Sequence, residues 1–128
     1  MHVILTRDRM SELENILETE LLENGADHVF IVDASGNLII ERGSLPMGDI
    51  LALAALSAAN FGATEQIARL IGEEDFSLLF HKGARQNIHF SRIGRNFILV
   101  TLFGNDVSLG LIRLRSSKAI EKLLNILG

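Results

Sequence analysis

Apolar residues recur at three- and four-residue spacing near the start of the chain, at Met10, Leu13, Leu17 and Leu21. That is the period of a helix with one buried stripe, and it predicts an amphipathic helix over about Arg7 to Glu23. Thr6 or Asp8 can cap its start, since a short side-chain oxygen accepts from a free amide of the first turn, and Gly25 suits its end. Glu12, Glu14, Glu18, Glu20 and Glu23 fill the other faces and read as solvated surface. The period then changes. Val29-Phe30-Ile31-Val32 is a continuous apolar run, as a strand buried on both faces requires. Asp33-Ala34-Ser35-Gly36-Asn37 is turn chemistry, and Leu38 to Arg42 returns as a second strand, so the pair is a hairpin. Gly43 to Gly48, with the only proline at Pro46, is a loop.

A long helix is predicted from about Asp49 to Ile71. A third strand, Phe76 to His81, follows the acidic turn Glu73-Glu74-Asp75. Gly83-Ala84-Arg85 turns it into a fourth strand, Asn87 to Ile93, and Gly94-Arg95-Asn96 turns that into a fifth, Phe97 to Phe103. A last helix starts near Asp106 or Ser108 and runs to Leu127. The order is α-β-β-α-β-β-β-α. Strands that come in hairpins pair antiparallel, so the expected class is α+β, with helices covering both faces of the sheet. No linker, repeat or low-complexity segment divides the chain, and residues 1–128 read as one domain.

The middle helix carries the most information. At about 100° per residue, Leu53, Leu56, Asn60, Ala63, Thr64, Ile67, Leu70 and Ile71 fall on one side, which is expected to lie on the sheet. The opposite side holds Leu51, Ala55, Ala58, Ala59, Gly62, Gln66 and Arg69. A solvent-facing side normally carries Lys and Glu. This one carries alanine and glycine, whose small side chains let another backbone approach, and an exposed apolar face needs a partner to explain it. Phe76-Ser77-Leu78-Leu79-Phe80 opens a three-strand meander and is expected at the sheet edge. An apolar edge strand invites pairing with another chain. A symmetric homodimer would pair this strand with its own copy and set two middle helices side by side. Ala58, Phe76, Leu78, Leu79 and Phe80 are the expected dimer-interface residues.

Composition narrows the function classes. The chain has 128 residues, a formal net charge of −4 and no cysteine. Without a basic tract, nucleic-acid binding is not expected. Without cysteine there is no disulfide framework and no thiolate metal site. No long apolar segment opens the chain and no apolar run approaches the roughly 20 residues that span a bilayer, so membrane insertion is not expected and a cytoplasmic location is. All the aromatic residues are Phe, which disfavours a site that stacks bases or rings.

Chemistry is sparse. The four histidines are His2, His28, His81 and His89, none in an HExxH pair. A turn near Ala84 would set His81 closer to Gln86 than to His89, so a shared metal is not expected. Gly104-Asn105-Asp106-Val107-Ser108-Leu109-Gly110 precedes a helix but lacks the phosphate-loop lysine and spacing; capping by Asp106 or Ser108 accounts for it. No GxSxG elbow is present. Glu73, Glu74 and Asp75 have no evident base or nucleophile beside them. Arg113, Arg115, Lys118 and Lys122 form a basic stripe that reads as a solvated helix face. No catalytic residue, no metal site and no cofactor is expected, and the chain reads as a binding protein rather than an enzyme.

With these elements placed, the sequence resembles the roadblock/dynein light chain family over about Arg7 to Leu127. The stretches that carry the resemblance are Val29-Phe30-Ile31-Val32-Asp33 with Gly36, Leu56-Ser57-Ala58-Ala59-Asn60, Ala68-Arg69-Leu70-Ile71-Gly72-Glu73, and Ser108-Leu109-Gly110-Leu111-Ile112-Arg113-Leu114-Arg115. Together with Phe80-His81-Lys82-Gly83-Ala84, the last two are most similar to the bacterial gliding-motility branch of the family. The resemblance implies a five-stranded antiparallel sheet between the middle helix on one face and the two terminal helices on the other. It implies a homodimer joined through the third strand and the middle helix. It also implies a partner, a small Ras-like GTPase of the bacterial cell-polarity and motility systems. On that picture the chain is a GTPase-activating protein that inserts no catalytic residue of its own, and Ala55, Ala59, Gly62 and Gln66 line the GTPase-facing surface with Arg69 at its rim. The alternative is a non-catalytic dimeric scaffold that recruits a GTPase or another protein.

Overall fold

The computed structural model describes residues 5–46, 48–74, 76 and 79–128. Its elements are α1 (Arg7–Glu20), β1 (His28–Asp33), β2 (Leu38–Gly43), α2 (Ile50–Leu70), β3 (Leu79–Lys82), β4 (Asn87–Ile93), β5 (Phe97–Phe103) and α3 (Leu109–Leu127). The order and the antiparallel pairing are those the sequence predicts. Each helix begins on a side-chain cap. Thr6 accepts from the Arg9 amide at 3.2 Å, Asp49 from Ala52 at 3.0 Å and Ser108 from Leu111 at 3.1 Å. Helix α1 stops at Glu20, three residues short of the expected end. A 3-10 turn over Leu22–Asn24 completes it, and Gly25, with φ of 106°, leaves in the left-handed region, where a Cβ would be strained.

The five strands lie in the order β2-β1-β5-β4-β3. Strand β1 alternates as the sequence requires. Val29 and Ile31 enter one core with Leu13, Leu17, Leu21, Ile112, Ala119 and Leu123 of the terminal helices. Phe30 and Val32 enter the other, with Ala54, Ala58 and Phe61 of α2. The sheet therefore separates α1 and α3 from α2. Strands β2 and β3 are its opposite edges, four inter-strand spacings apart, or about 19 Å. Helix α2 has 21 residues, so it spans about 31 Å and carries the chain from one edge to the other.

The basic stripe on α3 is not wholly solvated. Lys122 meets Glu20 of α1 at 2.6 Å and Arg115 meets it at 3.7 Å. Glu20 is itself buried. The hydrogen bond from Lys122, working against burial, holds its carboxyl below the usual range. The pairing fastens α3 to α1 over the shared core.

Candidate functional site

Strand β3 sits at the sheet edge, with only β4 beside it. The expected strand began at Phe76; among the described residues it begins at Leu79. Phe76 is exposed, and Leu78 lies outside the described residues. Leu79 and Phe80 are half-buried and point to opposite faces. Leu79 joins the α2 core, while Phe80 joins the terminal-helix core and stacks on Phe103 with ring centroids 6.0 Å apart. His81 pairs with Ile88, not with Gln86, because the turn to β4 spans four residues. It returns to the α2 face. There it packs edge-on to Phe90 at 5.8 Å and meets the Asn60 amide at 3.3 Å. His89 pairs with Phe80 and so faces the other way. Among the described residues no group of three or more His, Cys, Asp or Glu could hold a metal.

Helix α2 lies on the sheet through a face the sequence did not assign. Ala54, Ser57, Ala58, Phe61 and Ala68 are buried. Ala58 was expected outside, yet it faces the sheet at 7% exposure. Leu56, Ala63, Ile67, Leu70 and Ile71 were expected inside and are exposed. The helix is turned by about one residue, roughly 100°, from the expected azimuth. The physical reason is space. Phe30 and Phe90 rise from the sheet and Phe61 descends from the helix, and the fully buried helix positions around them are alanine and serine, with Ile50 and Leu53 packing at the margin. Polar contacts hold this setting. Arg92 of β4 is ion-paired with Glu65 and lies over the Phe61 ring, 5.5 Å from its centroid. Asn60 meets His81. Gly36 passes so close to α2 that a Cβ there would be 3.0 Å from the Ala55 Cα.

These contacts divide the outward surface of α2. Leu56, Ala63 and Ile67 lie on the β3 side, the side of Asn60, with Leu70 next to them on the crest. Leu56 is 67% exposed, Ile67 53% and Leu70 86%. On the β1–β2 side lie Leu51, Ala55, Ala59, Gly62, Gln66 and Arg69. All are exposed except Gly62, which is half-buried but has nothing within 4 Å of the position a Cβ would take. Of the expected partner-binding residues, Ala55, Ala59, Gly62, Gln66 and Arg69 thus do share one face. Of the expected dimer residues among those described, Leu79 joins the α2 core from the edge strand, Ala58 lies beneath the helix and Phe80 joins the opposite core. Leu56 and Ile67, expected against the sheet, are instead exposed and were not among the expected dimer residues. By length and composition α2 could cross a membrane, which a reading of continuous apolar runs did not anticipate. That apolar excess is the material of the outward face.

The Roadblock/LC7 domain family matches residues 12–103. The fold superposes on Myxococcus xanthus MglB with a TM-score of 0.85 and 36% identity, over 91% of this chain and 95% of that one. It superposes on the gliding protein MglB from Thermus thermophilus with a TM-score of 0.87 and 28% identity, over 97% and 94%. A Roadblock/LC7 domain from Streptomyces avermitilis shares the fold at a TM-score of 0.78 with 12% identity, over 88% and 94%. Comparison with curated proteins gives no match. With the family match covering most of the chain, on a sheet and helices in the family's order, this protein belongs to the Roadblock/LC7 domain family.

Proposed function

We propose that the chain is a homodimeric regulator of a small Ras-like GTPase, acting as a GTPase-activating protein without inserting a catalytic residue. The observation that carries this reading is the division of α2 into two outward surfaces. One is large and aliphatic and adjoins the open edge of β3; the other is small, with Gln66 and Arg69 at its end. A second copy covers the first surface: β3 pairs with its symmetry mate and Leu56, Ala63 and Ile67 meet their counterparts. The two small-residue surfaces of the dimer then receive the GTPase. Likeness to MglB, a gliding protein in Thermus thermophilus, supports the GTPase as partner. Phosphoryl transfer from GTP depends mostly on positioning and charge stabilisation, so a protein that fixes a mobile loop of the GTPase accelerates hydrolysis without chemistry of its own. Arg69, at the rim of the surface, is a docking cation on this reading.

The test is GTP hydrolysis by the Ras-like GTPase encoded nearest this gene, with and without the protein. The expected rise is of the order of a hundredfold, the scale electrostatic positioning supplies. Gly62→Arg should remove it while leaving the melting curve unchanged, since a side chain there meets nothing of its own chain. Binding without a change in turnover would replace the activating protein with a recruiting scaffold. Absence of binding would leave the family fold with another partner.

A further inference from the structure

Helix α2 is held unevenly along its length. Up to Phe61, the buried residues are Ala54, Ser57, Ala58 and Phe61, and Ile50 and Leu53 pack against the same core at its margin. Over residues 62–70 the helix buries Ala68, and Ala68 joins neither core cluster of the described residues. The change falls at a weak turn. Gly62 stands in the helix interior, where glycine gives up the most backbone freedom. Two residues on, the Thr64 hydroxyl donates to the Asn60 carbonyl at 2.9 Å, a bond back along the chain that slightly destabilises and bends helices. Alanine resting on a sheet resists separation but not rolling, since apolar contact is non-directional. In this half the directional tie is Glu65. It lies one turn beyond Phe61 on the same line of the helix and pairs with Arg92 of β4, whose guanidinium lies over the Phe61 ring. The two side chains are 27% and 35% exposed, so the pair is largely out of water and weakly screened. A guanidinium is a planar fork, which fixes orientation as well as distance. Gln66 follows Glu65 directly and Arg69 lies one turn on, and both belong to the small-residue face.

We propose, resting on the GTPase reading above, that Glu65 and Arg92 are positioning residues: their pair latches the second half of α2 to β4 and so sets Gln66 and Arg69 where the GTPase meets them. Glu65→Gln removes the charge and keeps the shape. Amide hydrogen exchange of the labelled protein alone reads the latch. Residues 63–70 should exchange roughly tenfold faster in the variant, the loss of about one charge-assisted hydrogen bond, while residues 54–58 keep their rates. GTP hydrolysis by the Ras-like GTPase encoded nearest this gene reads its use. A surface assembled about a tenth as often binds about ten times more weakly but is complete at saturation. The half-saturating concentration of the variant should therefore rise roughly tenfold with the maximal rate unchanged. Arg92→Lys, which keeps the charge and loses the fork, should show smaller shifts in both readouts. Unchanged exchange, an equal rise in both halves of the helix, or a lower maximal rate at the same half-saturation would each overturn the proposal. If the parent protein binds no GTPase while residues 63–70 still exchange faster in the variant, the GTPase reading falls and the latch stands.

Discussion

Ile67→Glu separates the proposed dimer seam from the fold. Ile67 is 53% exposed on the β3 side of α2, so about half of it remains for a second copy to cover. Full burial of an isoleucine is worth about 2 kcal/mol, which makes the lost half about 1 kcal/mol per protomer. A two-fold interface contains the residue twice, so dimerisation should weaken by about 2 kcal/mol, or roughly thirtyfold in Kd. Any repulsion between the new carboxylates adds to that. The isolated fold should not respond, since an exposed substitution usually stays within about 0.5 kcal/mol and glutamate suits a helix interior. Sedimentation equilibrium over a concentration series gives the Kd, and urea unfolding of the monomer gives the fold. Leu51→Glu is the control: Leu51 is 68% exposed on the other side of the helix and should leave the Kd unchanged. If both variants dimerise like the parent, the seam is not on this side of α2. If Ile67→Glu unfolds the monomer, the azimuth of the helix is wrong.

Ala58→Leu tests the same azimuth from beneath. Ala58 packs with Phe30 and Phe90, so three added carbons should cost about 1–3 kcal/mol of stability, read by urea unfolding; a silent substitution would place Ala58 outside. His89 predicts a pH dependence. Burial, with the Arg113 charge adding to it, pushes this imidazole from 6.5 down to about 4, so between those values the unfolded chain binds a proton that the folded chain refuses. Stability is then full above pH 6.5 and falls by about 3 kcal/mol as pH drops to 4; His89→Gln should flatten that window. Glu20 and Asp33 act lower. Burial raises Asp33, but hydrogen bonds from Asn37, Ser35 and Gly36 outweigh it, and both carboxyls stand below their ordinary values of 4.5 and 3.8. Their contribution is present above those values and is lost as pH falls beneath them, so it should survive in the His89→Gln protein.

The fold was legible because its signals are local and agree with one another. Val29 to Val32 had to be doubly buried, and it lies at the second position of the sheet with helices on both faces. Thr6, Asp49 and Ser108 cap where a short oxygen-bearing side chain precedes each helical period. What local patterns do not carry is the pairing of charges far apart in the chain. Glu20 and Lys122 are 102 residues apart, and each, read alone, was an exposed member of a charged stripe.

The azimuth of α2 failed for a different reason, and the failure bears on function. Periodicity locates a buried face only when the two sides of a helix differ in polarity. Here alanine lies on both sides, so the assignment fell back on size and placed leucine and isoleucine inward. Beneath α2 that rule reverses. Phe30, Phe61 and Phe90 already fill the middle of the layer between helix and sheet, and the helix positions directly over them are Ala54, Ser57 and Ala58. The helix thus turns its bulk outward, where Leu56, Ile67 and Leu70 join neither core cluster of the described residues. A leucine that is 86% exposed adds little to the stability of a monomer. A helix selected only to cover this sheet could carry lysine and glutamate at Leu56, Ile67 and Leu70 with the same inner face. On the proposed reading the outward aliphatic residues belong to the dimer, in which a second copy closes the open edge of β3.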